Sequence, residues 1–196
     1  MTRFAVLLLA ALLVGFCFWN GRPIPQPPGI LEPNDPVQEN VENGPHWAIG
    51  DYDVQGLARF EVDARVLSAE RYRWGREAEL SPIDLALGWG PMSSNEVLDS
   101  LDISQYGRFF FYSWSGNPPI PPPEITRHAS NMHMVPLDPD TRATLLHARR
   151  GNLVHLQGWL IEARGKDGWK WHSSLSRTDS GGGACELVLV EHAELQ

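Results

Sequence analysis

The stretch SSLSRTDSGGGACE, Ser173 to Glu186, gathers groups that could do chemistry: five hydroxyl side chains, Arg177, Asp179, three consecutive glycines and Cys185. A hydroxyl or thiol nucleophile needs a base within hydrogen-bond reach and backbone N–H groups aimed at a developing oxyanion. Ser180 and Cys185 are the candidate nucleophiles, with Asp179 beside them and His133 upstream in ASNMHMVP as the candidate base. The same glycines could instead form a nest of N–H groups that cradles a small anionic or polar ligand. A third reading is structural. Arg177 and Asp179 form a local ion pair that locks the loop, and Glu186 finds Arg177 or Arg73 as its partner. The polar lock is favoured and the cradle stays open.

The core of that stretch, TDSGGG, is similar to the Asp-Ser-Gly-Gly around the nucleophile of trypsin-like proteases. His128 or His133, Asp138 or Asp140, and Ser180 stand in the required chain order. However, Thr178 stands where a glycine is wanted, and the interval from His to Ser is too short for paired barrels. No protease is inferred. Zinc needs three or four converging ligands, and His128, His133, His155, His172, Asp179, Cys185 and Glu186 show no spacing that brings a set together. No metal site and no cofactor is expected. Cys185, the one cysteine outside the N-terminal apolar segment, reads first as a small buried hydrophobe. Trp89, Trp114, Trp159, Trp169 and Trp171 read as core, or as a platform for a ligand where exposed.

Glycines, polar groups and aromatics concentrate in three places: the GWGPM turn at Gly88–Met92, the pair Asn131 and His133, and the loop Ser173–Cys185. The expected binding residues are therefore Trp89, Met92, Asn131, His133, Trp171, Ser174, Arg177, Asp179, Ser180 and Cys185.

The elements that must position these residues read as follows. ARFEVDARVL alternates, with Phe60, Val62, Ala64 and Val66 on one face, which predicts a half-buried strand. LSPIDLALGWGPMSSNEVLDSL predicts two short helices. The first has Ser81 as cap and Pro82 at its first position, and ends at Gly88. The second starts from a capping box of Ser93 and Glu96. RFFFYSW, Arg108 to Trp114, is a continuous apolar run that predicts a central strand buried on both faces. NMHMVPL predicts a short strand. Asp138 with Pro139 opens a helix that Gly151 stops. NLVHLQGWLIEARGKDGWKWHSSL predicts a hairpin about Lys166–Gly168, and CELVLVEHAEL the last strand, apolar on both faces from Leu187 to Val190. The fold class is α+β, mostly β, as a small partly open OB-like barrel or a single sheet with three short helices.

The chain has 196 residues and a formal net charge of -8, which is unfavourable for a nucleic-acid backbone. Its one adjacent basic pair, in ARRG, falls at an expected helix C-terminus, where positive charge is favourable without any partner. The N-terminus carries Arg3 and then an apolar run from Phe4 to Trp19. A membrane span needs about 20 such residues, so residues 1–21 read as a signal anchor, or as a cleaved signal peptide. Lys/Arg placement favours the N-terminus inside and the domain outside. That puts the domain in the bacterial periplasm, held to the inner membrane through residues 4–21; the alternative is a secreted periplasmic protein after cleavage. Residues 22–45 are Pro-rich and acidic and read as a semi-rigid spacer, with the globular β-rich domain at 46–196.

Two blocks, LSPIDLALGWGPMSSNEVL and DGWKWHSSLSRTDSGGGACELVLVE, with ASNMHMVP between them, resemble a family of uncharacterised bacterial proteins with an N-terminal apolar segment. The likeness runs roughly from Phe60 to Val190 and implies no activity, cofactor or catalytic residue. The leading functional expectation is a membrane-tethered periplasmic module that binds a protein or small polar ligand. The alternatives are a hydrolase using His133 with Ser180, Asp179 or Cys185, and a structural subunit of an envelope complex.

Overall fold

The computed structural model describes residues 22–176, 181 and 183–196. Five strands close into a ring: β3 (Tyr52–Arg71), β4 (Ile83–Gly88), β7 (Ala129–Pro136), β10 (Glu186–Leu195) and β8 (Leu153–Gly165), with β8 pairing back onto β3. Every neighbour is antiparallel except β7 and β10, which run parallel. β1 (Val37–Asn40) and β2 (His46–Ile49) extend the sheet beside β3, and β9 (Lys170–His172) beside β8. A separate hairpin, β5 (Asp102–Tyr106) with β6 (Phe109–Ser113), lies outside the ring. Among the described residues four short helices complete the α+β, mostly β architecture: α1 (Arg76–Leu80), α2 (Asn95–Leu98), α3 (Pro122–Arg127) and α4 (Pro139–His147).

Alternation along the strands fills the ring. Phe60, Val62, Leu85, Leu87, Met132, Met134, Leu156, Leu160, Val188 and Val190 make one buried cluster, joined by Leu145 of α4. The opposite faces of the same strands are also covered. Val135, Leu187, Leu189, Ile161 and Ala163 form a second cluster under Trp169 and Trp171, and Ala86 and Ala129 a third under Phe110 and Tyr112. β10 is thus buried on both faces from Leu187 to Val190, as its unbroken apolar run predicts. The cap of α4 is also as read. The Asp138 carboxylate accepts from the N–H groups of Asp140 and Thr141 at 2.9 and 2.8 Å, with Pro139 at the first helical position.

Three expectations are corrected. Ile83–Gly88 is a strand, not a helix; all six residues are buried between β3 and β7, and this tertiary pairing overrides the Ser-Pro helix-start signal. Phe109–Ser113 is not a central strand. Its exposure alternates: Phe109 and Phe111 face outward, while Phe110 and Tyr112 pack on the third cluster. Ser93 makes no capping box; the cap of α2 is Ser94, and the Ser93 hydroxyl donates to Gly90 O at 2.7 Å and accepts from Leu31 and Glu32 N–H.

The Pro-rich stretch 22–45 lies against the domain. Ile24 N–H donates to Arg150 O at 2.9 Å, Gly90 N–H to Glu32 O at 2.7 Å, and Trp89 Nε1 to Asp35 at 3.1 Å. An extended chain with many prolines has few N–H groups to satisfy, and this one satisfies several on the domain surface. Among the described residues no helix is long and apolar enough to cross a membrane; the run Phe4–Trp19 lies outside them.

Candidate functional site

The outer faces of β4 and β7 carry the polar centre. Their register sets Asp84 opposite His133 and Ala86 opposite Asn131. Asp84 is fully buried and His133 nearly so. Such a carboxylate needs a charged or hydrogen-bonded partner. Arg108 supplies it, with Nη1 2.5 Å from Asp84 Oδ1. The guanidinium also donates to Ser81 O at 2.9 Å and lies 3.7 Å from the centroid of the Tyr72 ring, an arrangement that combines planar hydrogen bonding with cation–π contact.

Local backbone geometry delivers Arg108 to this place. Gly107 and Arg108, the two residues between β5 and β6, have φ of 58° and 72°. Positive φ at both positions suits a tight hairpin turn whose twist matches its strands. For arginine the left-handed region is unfavourable. Here the Arg108 N–H donates to Tyr72 Oη at 3.0 Å, and the side-chain bonds to Asp84 and Ser81 hold the conformation. Burial pushes the Tyr72 phenol pKa up, against the opposing pull of that N–H bond.

His133 Nδ1 stands 3.0 Å from the same Asp84 oxygen, but out of line for a hydrogen bond. Asp84 Oδ2 is buried and has no hydrogen-bond partner among the described residues. The Trp171 ring lies 4.8 Å from the imidazole and 5.4 Å from the Arg108 guanidinium. His133, Trp171 and Arg108 line one wall of an open cleft of about 310 Å³, completed by Glu77, Phe109, His172, Gly183 and Cys185, with Asp84 buried behind that wall. With Nδ1 turned to Asp84, the other ring nitrogen is the one left for the cleft.

Cys185 sits in an amide ladder. Its Sγ accepts from Asn131 Nδ2 at 3.8 Å and donates to Arg108 O at 3.9 Å. Asn131 Nδ2 also donates to Arg108 O at 3.0 Å, and Gln105 Nε2 donates to Asn131 Oδ1 at 2.6 Å. No hydrogen bond joins Cys185 to His133, although both line the cleft. Glu186 takes a hydrogen bond from the Ser130 hydroxyl.

Of the residues named from sequence, Asn131, His133, Trp171 and Cys185 converge here. Ser174 lies nearby in chain and is buried; its N–H donates to Cys185 O at 3.1 Å and its hydroxyl accepts from Ser176 N–H. Trp89 and Met92 do not join them. Both are fully buried, in the first and third clusters respectively, so the GWGPM turn serves packing. Arg177, Asp179 and Ser180 lie outside the described residues, and with them the proposed ion pair and serine nucleophile.

Asp84 and Arg108 were not singled out from sequence. The readable clue was one carboxylate inside an otherwise apolar run, PIDLALG, which predicts a buried acid in need of a cation. His155 and His172 stay apart. His172 pairs with Glu162, while His155 Nδ1 meets Asp63 at 2.7 Å. Among the described residues no group of three or more His, Cys, Asp or Glu side chains could hold a metal.

Comparison with family models, curated proteins and solved structures finds no match. The chemistry of the site therefore rests on its geometry alone. It offers one imidazole backed by a buried carboxylate, an indole face and a tethered guanidinium around a small opening.

Proposed function

We propose that this protein is a binding module that takes a small polar ligand, or one polar side chain of a partner, in the cleft at His133. One observation carries the reading. His133 is held between the fully buried Asp84 and the Trp171 ring, in a cleft of about 310 Å³. Pockets for small ligands begin at about this size and combine aromatic walls with a few placed polar groups. Arg108 orients the site; its charge is matched by Asp84, so the cleft is not a bare cation. The domain is held at the bacterial inner membrane through residues 4–21, facing the periplasm, as the apolar run and the placement of Arg3 suggest.

The test is a nuclear magnetic resonance screen with small carboxylates, amides, amines and sugars, following the ring signals of His133 and Trp171. A binder is expected to move both, and His133→Gln to weaken it about tenfold, the effect of losing one good hydrogen bond in a desolvated pocket. Binders that shift only distant signals would sink the reading.

The hydrolase reading keeps one supporting observation, the shared cleft of His133 and Cys185. A histidine-activated thiol has a lowered pKa and alkylates fast at neutral pH. The bonds from Sγ to Arg108 O and Asn131 argue for a quiet thiol instead. Iodoacetamide decides between them: slow modification that follows an ordinary thiol pH profile supports binding, and fast modification abolished by His133→Gln supports the enzyme.

A further inference from the structure

The apolar run ends at Trp19, and Ile24 is already fixed on the domain. Its N–H donates to Arg150 O at 2.9 Å, and Gln26 Nε2 donates to Gly151 O at 2.8 Å. Five residue steps separate Trp19 from Ile24 (24 minus 19). A fully extended chain covers at most about 3.6 Å per step, so Ile24 stands within roughly 18 Å of the end of the apolar run, whatever path lies between.

The surface at Ile24 is basic in a chain whose net charge is -8. Two depressions meet at this residue. One, of about 410 Å³, holds Arg65 and Arg150 with Asp99; the other, of about 640 Å³, holds Arg71, His147 and Arg149. Arg22, Arg71, His147 and Arg150 are exposed. Burial, and after it the charge of Arg150, lowers the Arg65 pKa, while Asp99 pulls it the other way. The end of α4 accounts for one or two of these groups by its dipole. Arg71 reaches that end from β3 and donates to Leu146 O in its last turn, and Arg22 comes from the N-terminal arm, which the helix end does not account for.

We propose that this face, centred on Ile24 with Arg22, Arg71, Arg149 and Arg150, docks on the anionic phospholipid headgroups of the bilayer that holds residues 4–21. The inference rests on the membrane reading of that segment. Arginine binds phosphate through paired N–H groups, and the negative potential of a lipid surface is felt within about a Debye length, roughly 8 Å at physiological salt. The tether length confines the arginines to the neighbourhood of that field. The His133 cleft shares no lining residue with either depression, so docking does not draw on it.

The test uses the full chain in vesicles, with Cys17→Ser and Cys185→Ser and a fluorophore on either Ala143→Cys, on α4, or Lys166→Cys, at the far end of β8. The 13 residues of β8 separate the two ends by roughly 40 Å at about 3.3 Å per residue. Spin-labelled headgroups report proximity in phosphatidylglycerol–phosphatidylcholine vesicles and in phosphatidylcholine alone. Quenching at position 143 is expected to exceed that at 166 about twofold or more in the anionic vesicles. The difference should collapse in neutral vesicles, in 1 M salt where the Debye length falls to about 3 Å, and in the variant R71Q/R149Q/R150Q. A chain that does not float with vesicles of either kind overturns the membrane reading and the docking with it. A chain that floats with equal quenching at 143 and 166 overturns the docking alone. So does a difference that survives neutral lipid and high salt, because the tether would then suffice. The lipid and salt comparisons need no arginine variant to fold.

Discussion

Asp84 Oδ1 receives both the Arg108 guanidinium, at 2.5 Å, and the approach of His133 Nδ1, at 3.0 Å. One buried carboxylate thus joins a turn outside the ring to a strand within it. The pairing explains why arginine occupies a left-handed backbone position at the tip of the β5–β6 hairpin.

Breaking that pair from either side should be costly, because the group left behind is a buried charge. Asp84→Ala is expected to lose about 3 kcal/mol, the lower end for a broken buried ion pair, since the Arg108 side chain keeps some contact with water. Arg108→Ala should cost at least as much. The double variant should be clearly less unstable than the sum of the two. Urea unfolding of all four proteins closes the cycle, and additive losses would mean the two residues act independently.

Much of the ring was legible, and the reason is periodicity. Phe60, Val62, Ala64 and Val66 alternate with charged residues, and the core follows that alternation. The run Leu187–Val190 reads as buried on both faces and is so. Ile83–Gly88 misled because its signals were local: Ser81, Pro82 and Gly88 punctuate a helix, whereas pairing to both β3 and β7 decides the strand. Part of the site was visible as residue types, in Asn131, His133, Trp171 and Cys185. The rest depended on long-range contact, because Asp84 and Arg108 meet across 24 residues through a hairpin whose place no local pattern gives.

The β5–β6 hairpin separates two aromatics that sequence treats alike. Phe111 is half exposed, while Phe110 packs on the third cluster, 5.6 Å from the Tyr112 ring. Phe111→Ser is expected to change stability by no more than about 0.5 kcal/mol. Phe110→Ser should cost about 2 kcal/mol or more, from lost burial and a cavity. Equal effects would restore a strand buried on both faces.

Acid should release a clamp at the opposite edge. Arg76 bonds both oxygens of Asp167 at 2.7 Å and lies 4.6 Å from the centroid of the Trp169 ring. The Arg76 hydrogen bonds hold the Asp167 carboxyl down at about 2, against an ordinary 3.8. A depressed folded pKa means that the contribution is present above pH 3.8 and lost as pH falls toward 2. Stability measured from pH 4.5 to 2 should therefore fall less steeply in Asp167→Asn than in the parent. Because the pair is exposed, high salt should shrink the difference. Identical acid limbs would show that the clamp adds nothing to folding.

The N-terminal arm hangs on a glycine. Gly151 has φ of 97°, its N–H donates to Val66 O at 2.8 Å, and a Cβ there would stand 2.2 Å from Ile24 O. Alanine meets two penalties at once: an unfavourable left-handed backbone and a clash with the backbone of the arm. Gly151→Ala is expected to cost about 2 kcal/mol or more. Part of the clash can be relieved by lifting the arm from Arg150. Limited proteolysis between Arg22 and Pro45 should therefore speed up while the ring stays protected. Gly29→Ala is the control, since its φ is also positive but a Cβ there meets nothing. It should strain its own turn and leave the Ile24–Arg150 bond in place. If Gly151→Ala unfolds the protein without faster cleavage of the arm, the arm is part of the same cooperative unit as the ring. If it leaves both stability and cleavage unchanged, the contact at Ile24 does not hold the arm.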